Sequence, residues 1–413
     1  MLARKCRFCD SLLHHTFADL GTSPLSNSYL SREELEQAEA FYPLHVHVCD
    51  TCYLVQLPEH HPPEHIFSDY LYFSSYSTSW LEHAVRYTEH VTQRFALNES
   101  SHVVEIASND GYLLRYFKER NIPVLGIEPA HNVAAVAKSA GIPTVVKFFG
   151  VELATTLAAE RQQADLLVGN NVLGHVPNIN DFVAGLQIML KPDGVFTAEF
   201  PHVLQLMAHN EFDTIYHEHF SYWSLLALDK VFVAHGLALF DVEELPTHGG
   251  SLRIYARHSD RVLGEYGITP RLQEVRAREL AAGLDRMETY AVFGEKVRET
   301  KRHLLQFLIE AKCQGKTIVG YGAPAKASTL LNYCGVRTDF LDYTVDRSPH
   351  KQGRFMPGTH IPIYHPDRVR ETRPDYLLIL PWNLKQEILQ QMAHVREWGC
   401  RFVVPIPTVE VLP

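Results

Sequence analysis

The stretch His102-Val103-Val104-Glu105-Ile106-Ala107-Ser108-Asn109-Asp110-Gly111-Tyr112-Leu113-Leu114 constrains the fold more than any other part of the chain. The apolar run from Val103 to Ile106 has strand length. The small polar residues after it suit a tight turn, and Tyr112-Leu113-Leu114 restarts the chain as a helix. A second apolar run, Val124-Leu125-Gly126-Ile127, ends on Glu128. Strand, turn, helix and strand in this order make the first half of a nucleoside-binding α/β unit. It is not the dinucleotide fingerprint, because Ala107 and Asn109 stand where G-x-G-x-x-G has glycines.

Four of the seven cysteines form two C-x2-C knuckles, Cys6-Arg7-Phe8-Cys9 and Cys49-Asp50-Thr51-Cys52. Each knuckle offers two thiolates at a spacing that suits a tetrahedral ion, so the pair completes a closed four-cysteine site for structural Zn2+. All four positions would be filled by protein, which leaves none for catalysis. A redox pair would need only one knuckle and a thioredoxin-like setting that neither has. His45 and His47 precede the second knuckle as a possible outer shell or alternative ligands.

Tyr216-His217-Glu218-His219 places two imidazoles, a carboxylate and a phenol on consecutive residues within the aromatic-rich run from Phe212 to Trp223. Free charges are costly in such surroundings. From these residues alone a metal site, an acid–base site and a patch of satisfied polar residues all stand open. Upstream, Asp69 to Trp80 is dense in hydroxyls and includes Tyr70 and Tyr72, which fit either core packing or a pocket wall. Thr78 or Ser79 is expected to cap a helix over 80–95.

The acids that end the first two strands, with a small-residue loop between, resemble S-adenosylmethionine-dependent methyltransferases. The resemblance implies that the loop carrying Glu105, Ala107, Asn109, Asp110, Gly111 and Tyr112 passes beneath the methionine part of S-adenosylmethionine, and that Glu128 takes the ribose hydroxyls. Residues 164–173 resemble the fourth strand and its turn, with Asn170 and Asn171 beside the amino acid moiety; residues 190–200 resemble the fifth strand. Leu237–Val242 and Ser251–Arg257, joined at Gly249-Gly250, are expected as the antiparallel finish.

The whole ordered series is more specific. The four-cysteine module, Glu105 to Tyr112, Tyr216 to Tyr222, Thr247-His248-Gly249-Gly250-Ser251-Leu252-Arg253 and Gly320-Tyr321-Gly322-Ala323 together resemble the sugar C-methyltransferases, especially the 3-C-methyltransferases of deoxysugar biosynthesis. The likeness covers essentially the whole chain. It implies a substrate that is a TDP- or GDP-linked 4-keto-6-deoxysugar, with His219 as the active-site histidine and Glu218, Tyr216, Tyr70 and His175 as its companions. A ketone at C4 acidifies the C3 proton, so an imidazole base and donors to the enolate oxygen suit the chemistry. Tyr72 and His248 are expected near the substrate, although a turn histidine bonded to backbone is an equal alternative for His248.

From Lys316 the chain begins a second strand–glycine loop–helix unit, Ile318-Val319-Gly320-Tyr321-Gly322-Ala323-Pro324-Ala325-Lys326, with further strands expected at 340–345 and 376–381. Its glycines would let backbone N–H groups approach a phosphate, and Pro324 fits a first helical turn. The family likeness implies a role in holding the nucleotide-sugar, with Tyr321, Ala323 and Lys326 as contacts. NAD binding is the rival, and loop packing alone is the plainest alternative.

The expected fold is therefore multidomain α/β. It comprises a zinc-binding module (1–75), a central class I methyltransferase Rossmann-like domain (76–260) and a carboxy-terminal Rossmann-like α/β domain (261–413). A formal net charge of −10 disfavours nucleic acid as partner. It opposes the rival of a zinc-ribbon nucleic-acid methyltransferase. The other rivals are an NAD-dependent sugar oxidoreductase and a non-catalytic interaction protein. With no apolar run of membrane-spanning length, the expectation is a cytoplasmic, membrane-free monomer.

Overall fold

The computed structural model describes residues 4–62, 74–76, 78–262 and 267–413; Tyr70 and Tyr72 lie outside them. The chain forms two compact units, each drawn from three separated segments. The first comprises Met1–Leu13, Cys49–His202 and Phe220–Asp285, and the second His14–Val48, Val203–His219 and Arg286–Pro413. The two units thus interleave along the chain. Tyr216, Glu218 and His219 fall in the second, whereas His175, His248, the cysteines and the loop after Glu105 fall in the first.

A seven-stranded sheet forms the centre of the first unit. Its order is Leu237–Leu245, Ser251–His258, Leu190–Pro201, Ala164–Val168, Val103–Ile106, Val124–Ile127, Thr144–Val145. The last five run parallel, and Ser251–His258 runs antiparallel to both of its neighbours. Val103–Ile106 is buried at every residue, as a central parallel strand covered on both faces must be. The chain leaves that strand toward Val124–Ile127 on one side and later returns beside it at Ala164–Val168. Its carboxyl end is therefore a topological switch point, where open α/β sheets receive ligands. Asn178 caps the helix Ile179–Met189, accepting from the Asp181 N–H, and Ser224 caps Leu225–Ala234 in the same way. A short antiparallel ladder pairs Val55 with Tyr222 and Gln56 with Ser221.

The second unit holds a six-stranded sheet in the order Ile363–Tyr364, Thr344–Val345, Ile318–Tyr321, Tyr376–Ile379, Arg401–Val404, Glu410–Leu412. Only the last pairing is antiparallel. The expected strand over 340–345 is reduced to Thr344–Val345. Phe340 and Leu341 instead turn their N–H groups back to the Arg337 carbonyl. The helix Phe293–Cys313 buries Val297, Leu304 and Leu308 at helical spacing. His15–Ser23 and Tyr42–Val48 form an antiparallel pair in the same unit.

Candidate active site

The cysteine cluster is assembled in the first unit. Cys6 Sγ lies 3.5 Å from Cys52 Sγ and Cys9 Sγ 3.6 Å from Cys49 Sγ. All four sulfurs fall within 4.8 Å of one another. A tetrahedral zinc with Zn–S bonds of about 2.3 Å needs sulfurs about 3.8 Å apart, so the cage fits that ion. Gln56 Nε2 donates to Cys6 Sγ at 3.2 Å, an outer bond of the kind that orients a thiolate ligand.

At the switch point, Ala107, Asn109 and Gly111 all adopt positive φ (56°, 50° and 77°), so the loop bends tightly under the strand end. Gly111 has a steric reason as well: a Cβ there would stand 3.0 Å from Ile142 Cγ1. The Asn109 N–H donates to Glu128 Oε2 at 2.9 Å and the Ala130 N–H to Glu128 Oε1 at 2.8 Å, which fixes the second acid against the loop. Glu105 is buried, its Oε2 has no hydrogen-bond partner among the described residues, and burial followed by the charges of Glu128 and Asp110 pushes its carboxyl well up. Asp110 Oδ1 and Asn170 Oδ1 are also buried acceptors without a partner among the described residues. Converging acids and orphaned acceptors suit a ligand that brings positive charge and donors, as the sulfonium, ammonium and ribose of S-adenosylmethionine do. Tyr112 stacks on Trp80 at 6.2 Å, and the Asn171 N–H donates to the Glu199 carbonyl at 2.7 Å.

His248 is exposed, in the turn before Ser251, with φ 55°, and its ring lies 5.9 Å from that of Trp80. His175 closes a 3-10 turn whose N–H donates to the Val172 carbonyl. One residue earlier, the Gly174 carbonyl accepts the Phe220 N–H at 2.7 Å, so the chain leaving His219 is bonded directly to the His175 turn.

In the second unit, Tyr216 to His219 is a turn and not a strand; the His219 N–H donates to the Tyr216 carbonyl at 2.9 Å. The two imidazoles therefore part, unlike His-x-His on a strand face. His217 Nε2 lies 3.3 Å from the Pro43 carbonyl oxygen, and its ring meets Tyr42 edge-on. His219 packs on Tyr216 with ring centroids 4.0 Å apart, and its Nδ1 lies 2.8 Å from the Thr214 carbonyl oxygen. A carbonyl only accepts, so Nδ1 carries a proton, and in the neutral ring the lone pair is on Nε2. Glu218 is buried, and burial, offset in part by a 2.6 Å bond from Asn27 Nδ2, raises its carboxyl to about 7.

The segment before the turn is anchored to the glycine-loop sheet. Thr329 Oγ1 donates to the Ile215 carbonyl at 2.7 Å, and Trp382 Nε1 donates to Asp213 Oδ2 at 2.8 Å. Asp213 is fully buried; burial raises it to about 6, with Lys326 and the indole opposing the rise. Lys326 donates to Asn383 Oδ1 at 2.8 Å, and its ammonium lies 4.3 Å from the centre of the Trp382 ring. Tyr321 donates its hydroxyl to Gln391 Oε1; the Ala323 N–H goes to Asp346 Oδ2, and the Ala323 carbonyl accepts from Tyr29 and Lys351. Gly322 has φ 90°, and a Cβ there would stand 2.5 Å from Pro381 Cδ. Loop packing thus accounts for that glycine, and Tyr321, Ala323 and Lys326 bond to protein groups. Asn27, Asp213 and Trp382 carried no sequence signal, because their roles come from contacts distant in the chain, and Thr214 carried none because it acts through its backbone carbonyl.

Three family models match in chain order: a zinc binding domain over residues 6–67, a methyltransferase domain over 80–242 and a C-methyltransferase C-terminal domain over 246–407. The C-methyltransferase NovU of Streptomyces niveus is 34% identical over 414 aligned residues, covering 99% of this chain and 96% of that one. Solved structures give more distant likenesses. An S-adenosylmethionine-dependent methyltransferase from Clostridium acetobutylicum is 11% identical with a TM-score of 0.36, over 43% of this chain and 92% of that one. Another from Mesorhizobium loti is 16% identical with a TM-score of 0.34, over 43% of this chain and 100% of that one. The chain belongs to the C-methyltransferase family that its motifs resemble, and it is an S-adenosylmethionine-dependent C-methyltransferase.

Proposed function

We propose that the enzyme methylates C3 of a nucleotide-linked 4-keto-6-deoxysugar, and that His219 is the base. The observation that carries this reading is the bond between His219 Nδ1 and the Thr214 carbonyl, which sets the neutral tautomer with its lone pair on Nε2. A base of this kind removes the C3 proton as electron density moves onto the C4 oxygen. The enolate needs donors; Tyr216, packed on His219, and His175 are assigned that task together with Tyr70. Glu218, whose carboxyl burial pushes up to about 7, orients the turn through its bond from Asn27. When bound, S-adenosylmethionine supplies an electrophilic methyl group on a sulfonium, held by Glu105, Asp110, Gly111, Glu128, Asn170 and Asn171. The enolate carbon would be the acceptor of that methyl, whose C–S bond would break to leave a neutral thioether, and the C3 proton stays on His219 until it is lost to solvent.

The sugar carrier, TDP or GDP, is assigned to the glycine-loop sheet, with Tyr72, His248, Tyr321, Ala323 and Lys326 as substrate contacts. The acidic balance of the chain supports a small substrate over nucleic acid. Mass spectrometry after incubation with labelled methyl donor and a panel of TDP- and GDP-linked 4-keto-6-deoxysugars tests the reading. It expects methyl gain on carbon with loss of the C3 hydrogen. Methyl gain on oxygen or nitrogen, or no acceptor among these sugars, rejects it.

A further inference from the structure

Arg7 lies inside the first zinc knuckle, yet its bonds lead away from the metal cage. Its N–H donates to Gln56 Oε1 at 2.9 Å, and the same Gln56 side chain donates to Cys6 Sγ. Its guanidinium donates through Nη1 to the Pro177 carbonyl at 2.9 Å and through Nη2 to the Leu57 carbonyl. The guanidinium carbon also lies 5.4 Å from the centre of the Phe220 ring. Leu57 in turn donates its N–H to the Phe220 carbonyl at 3.0 Å, and Phe220 donates its own to Gly174. Asn180 Nδ2 closes the other side of the knuckle on the Phe8 carbonyl at 2.9 Å.

One side chain thus touches both strands of polypeptide that carry the candidate histidines. Pro177 is two residues beyond His175, and Phe220 directly follows His219. A planar fork with five donors can bind two carbonyls lying in different directions, and a single ammonium cannot do so with the same geometry. The fork grows from the backbone between Cys6 and Cys9, so a metal joining the four cysteines would stiffen the base from which it reaches the two carbonyls.

We infer that Arg7 is a positioning residue through which the zinc knuckle fixes the His175 turn against the chain that leaves His219. The zinc module then has a second task beyond holding its own fold, which is to hold the turn after His175 and the chain that begins at Phe220 to each other. This inference rests on the assignment of His175 and His219 to the reaction.

The test uses full-length Arg7→Lys and Arg7→Ala proteins, with four readouts. These are zinc per chain, affinity for S-adenosylmethionine, steady-state turnover, and amide hydrogen exchange over residues 173–177 and 220–222. The expected result is unchanged zinc and methyl-donor affinity, faster exchange in both segments, and kcat lowered about 10- to 100-fold with little change in KM. Added guanidinium should restore part of the activity of Arg7→Ala. Unchanged exchange and kcat in both variants would overturn the inference. So would zinc loss in both variants that tracks the loss of activity, because Arg7 would then serve only the cage. The exchange readout needs no substrate, so it stands apart from the base assignment. If His219→Asn kept full turnover while the Arg7 variants lost protection, the base assignment would fall and the Arg7 tie would remain.

Discussion

His219 Nδ1 and the Thr214 carbonyl oxygen stand 2.8 Å apart, within one turn of chain. The contact sets which nitrogen carries the proton, and the chain around Thr214 is held by bonds from Thr329 to Ile215 and from Trp382 to Asp213. Breaking those anchors should loosen the imidazole without touching it. Trp382→Phe keeps an aromatic side chain but loses the indole donor to a buried carboxylate, a loss that costs about 1–3 kcal/mol. Turnover should fall while the affinity for S-adenosylmethionine is retained, as read by steady-state kinetics and calorimetry.

Glu218 gives a pH signature. Burial raises its carboxyl from 4.5 to about 7, so between those values the folded protein holds a proton that the unfolded chain releases. Stability therefore falls as pH rises through this window, by at most about 3 kcal/mol from this residue. Glu218→Gln removes the dependence. It should raise the melting temperature at pH 8 relative to the parent and give no such gain at pH 4, as read by thermal denaturation at both pH values.

The acids at the switch point should report on the methyl donor. Glu105 lies near Glu128 and Asp110 and is pushed up by burial and by their charges. A cationic ligand favours its ionised form, so affinity for S-adenosylmethionine should rise with pH. Glu105→Gln should weaken binding about 10- to 100-fold, the loss of one charge-assisted bond, and flatten the pH dependence in calorimetric titrations.

Much of this was legible in the chain itself, for local reasons. The knuckles at Cys6 and Cys49, the strand before Glu105 and the antiparallel finish at Ser251–His258 each depend on residues close in sequence or on a spacing that local geometry dictates. The turn at Tyr216–His219 stands out in the sequence for its titratable side chains, but its backbone does not, because four aromatic and titratable residues carry no period. Nothing around Asn27, Arg7 or Trp382 marks them, since each acts on a partner more than forty residues away. The glycines near Tyr321 show the converse. They read as a phosphate loop, and at Gly322 the close neighbour is Pro381 of the same chain.

Asp241 tests the packing of the first unit. It is completely buried, and although burial raises its carboxyl, bonds from Arg271, Thr269 and Arg94 hold it at about 2. The folded value lies below the usual 3.8, so this stability is present above that pH and is lost as pH falls toward 2. Asp241→Asn leaves two guanidinium groups facing a neutral amide. It should cost about 1–3 kcal/mol at neutral pH, because both guanidinium groups retain contact with solvent, measured by denaturant unfolding.

The most direct measurement is the release of the substrate's C3 hydrogen to solvent, followed by mass spectrometry in deuterated water, for the parent and for His219→Asn with zinc and methyl-donor binding verified in both. The parent should exchange that hydrogen and gain a carbon-bound methyl, and the variant should do neither. Wild-type exchange and turnover in the variant would contradict the assignment of His219 as the base.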